Sequence, residues 1–121
     1  MAVLVVEDDD SLRETMLEVL RVEGYRAIGV ADLAAARACL RVVQPTLVIL
    51  DAQLAGESAR PLLHELAMIE ADARPLVLLV SGSREASSIA EEFNVPYIKK
   101  PFDLEVFLAD VERLDARRSL I

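Results

Sequence analysis

Acidic residues follow the first apolar run of the chain at a spacing that suits metal chemistry. The run "VLVV" at residues 3–6 leads directly into the four acidic residues 7–10, Glu-Asp-Asp-Asp. Like charges this close repel each other, so the cluster needs either open water or a cation. Carboxylate oxygens are ligands that Mg²⁺ accepts, since it keeps several waters and takes one or two protein carboxylates. The pattern predicts either a solvated helix terminus or a magnesium site.

Other reactive side chains stand at the ends of later apolar runs. Asp51 follows "TLVIL", Ser81 and Gly82 come at the end of "PLVLLV", and Lys100 follows "PYI" directly before Pro101. A lysine ammonium and a hydroxyl can hold phosphoryl oxygens. If the fold gathers these groups beside the first acidic cluster, the site suits a metal-bound phosphoryl group.

The apolar runs predict the elements that position these residues. Five short runs are rich in Val, Ile and Leu, and three of them are apolar almost throughout, which is typical of parallel strands covered on both faces. Helical segments lie between them, so the chain is expected to form a doubly wound α/β sheet with right-handed crossovers. Ligands in such sheets bind beyond the carboxyl ends of the strands, where the reactive residues stand.

The helical segments carry recognisable start signals. Ser11 and Glu14 have the spacing of a capping box for the first helix, and Asp32 is expected to cap the second. The segment "REASSIAEEF" predicts a short fourth helix. The last helix is expected to turn an inner stripe toward the core, formed by Val106, Phe107, Val111 and Leu114.

Composition excludes several functions. The chain has 121 residues, which suits one domain over residues 1–121. Its net charge is -8, without a basic stripe, so we expect no direct binding to nucleic acid or to an anionic membrane. No apolar run approaches the ~18 residues of a membrane span, and the first residues enter a strand directly, without the basic region and cleavage site of a signal peptide. With the single cysteine Cys39, these features predict a cytoplasmic protein.

Four motifs in order, "VLVVEDD", "LVILDAQL", "LVSG" and "YIKKPF", resemble the receiver domain of response regulators, the phosphoacceptor half of two-component signalling. The resemblance covers essentially the whole chain. It implies a flavodoxin-like (βα)5 fold with a five-stranded parallel sheet in the order 2-1-3-4-5.

The resemblance implies an acceptor and its metal ligands. Asp51 would be the phosphorylated residue. Asp8 would bind Mg²⁺ directly and Glu7 mainly through water, with the backbone carbonyl of Gln53 as a further ligand. Mn²⁺ is the alternative ion. Because Glu7, Asp8 and Asp51 would share one pocket, we expect their mutual repulsion to raise carboxylate pKa values when no metal is bound.

The resemblance also implies a switch. Ser81, with Gly82 beside it, would turn toward the phosphoryl group, Lys100 would contact a phosphoryl oxygen, and Tyr97 would be the aromatic switch residue. Gln53 and Ser83 would tune the lifetime of the phosphoaspartate. The bond between Lys100 and Pro101 would be cis.

Phosphoryl would come from a histidine kinase or a histidine phosphotransfer protein, and phosphorylation would alter a partner-binding face made by the fourth helix, fifth strand and fifth helix. The partner is a downstream protein or output domain. We expect a switch that hydrolyses its own phosphoaspartate rather than a turnover enzyme. A phosphatase of the haloacid-dehalogenase kind would need a D-x-D motif, which Gln53 breaks.

One loop departs from the receiver pattern. Receivers commonly carry Pro four residues after the phosphorylated Asp and an Asp-Gly pair beyond it, where this chain has Ala55, then Ser58 and Ala59. Gly56 is expected to supply the turn. Because of this departure, a phosphorylation-independent receiver-like interaction module stays as the alternative function.

Overall fold

The computed structural model describes residues 2–119, the last two as backbone only. The predicted domain of residues 1–121 also includes Met1, Leu120 and Ile121, which lie outside the described residues. Helices and strands alternate as the apolar pattern predicts, except for two short additional strands between residues 53 and 58. In chain order the elements are β1 Ala2–Val6, α1 Asp10–Val22, β2 Arg26–Val30, α2 Leu33–Val42, β3 Leu47–Leu50, β4 Gln53–Leu54, β5 Glu57–Ser58, α3 Arg60–Ala67, β6 Leu76–Ser81, α4 Ala86–Phe93, β7 Tyr97–Lys99 and α5 Leu104–Ser119.

The main sheet has five strands in the order β2-β1-β3-β6-β7, all parallel. Strands β4 and β5 form a separate antiparallel hairpin, so the five parallel strands follow the expected order 2-1-3-4-5. In the central register, Val5 of β1 lies opposite Gly29 on one side and Ile49 on the other. The predicted doubly wound fold is confirmed, and the sequence did not predict the hairpin.

Alternate side chains of the central strands enter two separate core layers, because successive residues of a strand point to opposite faces. Leu4 and Val6 pack with buried residues of α2, α3 and α4. Val3 and Val5 pack with buried residues of α1 and α5. Both faces of the sheet are therefore covered, which explains why the central strands are apolar throughout.

The first helix begins earlier than the capping-box prediction, which was wrong. Asp9 is the N-cap, and its side chain accepts a hydrogen bond from Leu12 N at 3.0 Å. Ser11 lies inside the helix, because the turn after β1 is short and brings the carboxylate of Asp9 to the free amides first. Asp32 caps α2 as predicted, accepting from Ala35 N at 2.7 Å. Each cap of this kind contributes about 1 kcal/mol.

The last two helices differ in how well the sequence predicted them. The fourth is short, as expected, and ends at Asn94, which adopts the left-handed conformation at φ 53°. In α5, Phe107, Val111 and Leu114 are buried, but Val106 is 49% exposed and the prediction for it was wrong. Val106 precedes Phe107, so the helix rotation that buries Phe107 turns Val106 away from the sheet. Within the described residues, no helix combines the length and apolarity that a membrane crossing needs.

Candidate functional site

Four parallel strands end at the candidate site. Glu7 follows β1, Asp51 follows β3, Ser81 is the last residue of β6, and Lys100 follows β7. Because the strands are parallel and adjacent, their carboxyl ends meet at one edge of the sheet. The predicted site residues therefore come from four separate stretches of sequence to one place.

An ion cluster occupies the centre of the site. Lys100 Nζ lies 2.6 Å from Glu7 Oε1 and 2.8 Å from Asp51 Oδ2. Glu7 is 2% exposed and Asp51 is 7% exposed, so both carboxylates are largely shielded from water. One ammonium is thus shared between two buried carboxylates.

The donor set of the cluster fits a small divalent cation. Glu7, Asp8 and Asp51 each offer one carboxylate oxygen, and these oxygens lie within 4.8 Å of one another. A lone lysine leaves this cluster with excess negative charge. Carboxylate oxygens at this spacing suit Mg²⁺, which retains waters and needs only a few protein oxygens.

The electrostatics of Glu7 and Lys100 follow from their burial and pairing. Burial raises the pKa of Glu7, and its hydrogen bonds from Lys100 and the Asp9 amide only partly offset that cost. Burial alone would lower the pKa of Lys100, but hydrogen bonds to Asp51 and Glu7 outweigh it and raise that pKa. Lys100 has two acidic partners, whereas the two carboxylates share one cation. The cost of burying charge is therefore better offset for the lysine than for Glu7.

Asp8 behaves differently from the expectation. Partial burial would raise the pKa of Asp8, but the hydrogen bond that its carboxylate accepts from the Ala55 amide outweighs this, and the pKa is lowered overall. We expected mutual repulsion to raise the carboxylate pKa values. For Glu7 the direction is as expected, although desolvation is the largest cause. For Asp8 the expectation was wrong. Asp8 is exposed, and a backbone N–H that the sequence pattern does not reveal stabilises its charged form.

That amide belongs to the turn of the β4–β5 hairpin. Ala55 N donates to Asp8 Oδ2 at 3.0 Å. Ala55 and Gly56 both have positive φ, at 50° and 83°, as in the two-residue type I′ turn. Gly adopts this conformation freely, whereas an alanine there costs about 1 kcal/mol. The Ala-Gly pair was a weak sequence signal for this turn, because Asn or Asp is the usual first residue.

The remaining predicted residues surround the strand ends. Gln53 N donates to Asp51 Oδ1 at 3.1 Å. Ser81 is buried; its Oγ accepts from Ser83 N at 3.1 Å and its carbonyl from the Tyr97 hydroxyl at 3.4 Å. Lys100 N also donates to that carbonyl at 3.0 Å, which ties β6 to the lysine.

Two backbone features complete the edge of the site. Gly82 is next to Lys100, since a Cβ on this glycine would lie 3.6 Å from the Cβ of Lys100. The bond between Lys100 and Pro101 is cis, which confirms the expectation.

Arg13 is a residue that the sequence analysis missed. Its guanidinium donates to the backbone carbonyl of Glu7 at 2.9 Å and to Asp10 Oδ1 at 2.7 Å. Its aliphatic part crosses Gly29 of β2, where a Cβ would lie 3.1 Å from Arg13 Cδ and 2.7 Å from Leu17 Cδ1. Only the (i, i+3) spacing from Asp10 was readable in the sequence. The contact with Glu7 requires the fold.

Glu7→Gln is expected to change how stability depends on pH in the metal-free protein. The pKa of Glu7 is raised above its ordinary value of 4.5 in the folded state. As pH rises from 4.5 toward that raised value, Glu7 therefore loses its proton in the unfolded chain before it does so in the folded protein. Wild type loses stability across this pH range, whereas the Gln variant does not. Urea unfolding in EDTA from pH 4 to pH 7 should show the variant gaining stability relative to wild type. Parallel pH curves for the two proteins would contradict this.

Comparison with known proteins places the chain in a family. The family model described as the response regulator receiver domain matches residues 3–112, so the chain belongs to that family. Receiver domains are the phosphoacceptor switches of two-component signalling, and they typically bind Mg²⁺ at an acidic pocket. The family resemblance that the four motifs carried is confirmed.

Individual relatives agree with this assignment. The chain is 31% identical to the DNA-binding response regulator MtrA of Mycolicibacterium smegmatis over 112 residues, which are 90% of this chain and 48% of MtrA. It is 25% identical to sporulation initiation phosphotransferase F of Bacillus subtilis, covering 85% of this chain and 84% of that protein. The receiver domain of HemR from Leptospira biflexa, in its non-phosphorylated form, superposes with a TM-score of 0.82 at 28% identity, covering 93% of this chain and 92% of that one. The chain thus spans about half the length of MtrA.

Proposed function

We propose that residues 1–121 form one receiver domain whose Asp51 accepts a phosphoryl group in a Mg²⁺-dependent reaction. A histidine kinase or a histidine phosphotransfer protein is the donor. The observation that carries this proposal is the bridge from Lys100 to Asp51 and Glu7, at 2.8 and 2.6 Å, beside the carboxylate of Asp8. It holds the acceptor, a cation and the candidate metal ligands in one pocket.

The transfer needs an oxygen nucleophile held in line with the donor. An Asp51 carboxylate oxygen would form a bond to phosphorus while the bond between phosphorus and the donor histidine nitrogen breaks, and the imidazole leaves. The Gln53 amide and Lys100 each hold one oxygen of Asp51, which limits the rotation of its carboxylate. Catalysis of this kind is mostly positioning and charge neutralisation.

Glu7 and Asp8 would hold the metal together with Asp51 and the carbonyl of Gln53, and Mn²⁺ is an alternative ion. When bound, the metal would neutralise charge on the phosphoryl oxygens. Lys100 would then exchange a carboxylate contact for a phosphoryl oxygen, since its ammonium already lies beside Asp51. Subsequent hydrolysis of the acyl phosphate would return Asp51 to its carboxylate form.

The switch would pass through Ser81 and Tyr97 to the face formed by α4, β7 and α5. The hydroxyl of Tyr97 is bonded to the carbonyl of Ser81, so a movement of Ser81 reaches the tyrosine directly. Val106, which is 49% exposed, places apolar surface of α5 beside β7 at this face. A downstream protein or output domain would bind there when phosphorylation shifts the two-state equilibrium.

The experiment is incubation with acetyl phosphate, with Mg²⁺ or with EDTA, followed by intact mass measurement. We expect one added phosphoryl group with Mg²⁺ and none with EDTA, and fragmentation should locate it at Asp51. Failure of wild type to gain phosphoryl under any donor and metal condition would favour the phosphorylation-independent interaction module. A phosphoryl group at another residue would contradict the site assignment.

Asp8→Asn is expected to lose most of the thermal shift that millimolar Mg²⁺ gives wild type. Binding to the native state alone stabilises it by mass action, and the variant lacks one anionic ligand oxygen. Because ionised Asp8 accepts the Ala55 amide, we expect the metal-free variant to be slightly less stable near pH 7. Asp10→Asn, on an exposed carboxylate beyond the cluster, is the matched control. Equal Mg²⁺ shifts in all three proteins at fixed ionic strength would remove Asp8 as a ligand.

Phosphoaspartate lifetime provides another prediction, because Gln53 and Ser83 are half-buried and neither shields the site with apolar bulk. We expect ordinary self-dephosphorylation in wild type. The double variant Gln53→Met, Ser83→Leu should exclude water and raise the barrier by about 1 kcal/mol, slowing decay about fivefold. The decay of purified phosphoprotein, followed by intact mass, is the measurement, with thermal melts checking the fold. An unchanged decay rate would separate both residues from the mechanism.

A further inference from the structure

The hairpin β4–β5 donates two backbone amides to two different carboxylates of the acidic cluster. Gln53 N donates to Asp51 Oδ1 at 3.1 Å and Ala55 N donates to Asp8 Oδ2 at 3.0 Å. Gln53 lies in β4 and Ala55 is the first residue of the turn that follows, so one short hairpin serves both acids. The two contacts come from alternate residues of the same strand and its turn.

The base of the hairpin is anchored while its tip is exposed. Leu54 is 1% exposed, and Ala59 N donates to the carbonyl of Ala52 at 2.8 Å, which closes the loop. Gln53 pairs with Ser58 across the two strands. Ala55 at the tip is exposed and adopts φ 50°. Its described contact toward the site is the hydrogen bond to Asp8.

We propose that the Ala55 amide positions the Asp8 carboxylate for metal binding, so that the hairpin turn and the metal site are coupled; this inference rests on the proposed function. Groups that hold a ligating carboxylate by hydrogen bonding commonly govern metal affinity. Asp8 also stabilises the hairpin turn, because its hydrogen bond from the Ala55 amide holds an alanine in a backbone conformation that alanine rarely adopts.

This coupling depends on the residue type at position 55. Proline, common in receivers at this place, has no N–H and fixes φ near −65°, so it could neither donate to Asp8 nor adopt the observed turn. Glycine keeps the N–H and accepts positive φ without strain. Ala55→Pro and Ala55→Gly therefore form a matched pair that differs in the proposed contact while both alter the same exposed site.

The test measures Mg²⁺ affinity of the three full chains by calorimetry. We expect Ala55→Gly to bind as tightly as wild type and Ala55→Pro to bind about tenfold more weakly. Thermal melts in EDTA report whether either variant has lost stability. A general loss of stability would not by itself make the Mg²⁺ affinities of the two variants differ. Equal Mg²⁺ affinity for Ala55→Pro and Ala55→Gly would overturn the inference.

A second measurement needs no metal and covers the case in which Ala55→Pro misfolds. Amide hydrogen exchange at residue 55, followed by NMR in EDTA, should become about tenfold faster in Asp8→Ala than in wild type, because the acceptor is gone. Unchanged exchange would show that Asp8 does not hold the turn and would also overturn the inference. If wild type binds no Mg²⁺ while exchange is still faster in Asp8→Ala than in wild type, the result would contradict only the proposed metal dependence.

Discussion

Asp51→Asn is expected to abolish phosphoryl gain from acetyl phosphate, while wild type gains one group per chain. Asp51 accepts from the Gln53 amide with one oxygen and from the Lys100 ammonium with the other, and asparagine keeps only one of these two acceptors. A thermal melt of the variant therefore accompanies the mass measurement to show that it is folded. The variant has no carboxylate nucleophile, and an amide oxygen does not form a stable acyl phosphate. Intact mass after incubation with Mg²⁺ and acetyl phosphate gives the result directly.

The matched control is Asp9→Asn. Asp9 lies two positions after Glu7, and it caps α1 through a side-chain oxygen that asparagine also provides. The control makes the same chemical change beside the site without touching the proposed acceptor. We expect it to be phosphorylated at the wild-type rate. Modification of Asp51→Asn at that rate would contradict the assignment of Asp51.

Lys100→Met is expected to lower the free energy of unfolding of the metal-free protein by about 3 kcal/mol near pH 7. The substitution keeps much of the side-chain volume and removes the charge. Among the described residues, Lys100 alone forms an ion pair with Glu7 or with Asp51, so both buried carboxylates would lose their cation. Because the pKa of Lys100 is raised above its ordinary value of 10.5, its pairing stabilises the fold below that pH while the partner carboxylates are ionised, and the contribution is lost as pH rises through the raised value.

Lys99→Met separates this effect from a general loss of positive charge. Lys99 is exposed on β7, so its replacement should change stability by no more than about 0.5 kcal/mol. Urea unfolding in EDTA measures both variants. Millimolar Mg²⁺ should then restore part of the stability of Lys100→Met, because the ion supplies positive charge to the same carboxylates. Equal losses in the two variants would mean that the bridge contributes little.

The sequence predicted the gathering of Glu7, Asp51, Ser81 and Lys100 because each follows or ends a strand of a parallel sheet. That inference needs only the order of apolar runs and the rule for strand ends. It does not depend on any side-chain contact. The assignment to the receiver family followed from the same positions.

Other features depend on geometry that residue types do not encode. The Ala55 amide is a backbone group, and its approach to Asp8 depends on a two-residue turn with positive φ. The lowered pKa of Asp8 follows from that contact and could not be inferred from charge spacing. Val106 was misplaced because a helical stripe in sequence is uncertain by one position, which is a rotation of about 100°.

The two tyrosines of the chain give it natural reporters, since tryptophan is absent. Tyr25 packs against the core layer that α1 and α5 cover, while Tyr97 packs against the opposite layer and donates to Ser81. Fluorine labelling of tyrosine would therefore give two resonances, one from each side of the sheet. The signal of Tyr97 would follow events at the carboxyl edge, and that of Tyr25 would serve as an internal reference in the same molecule.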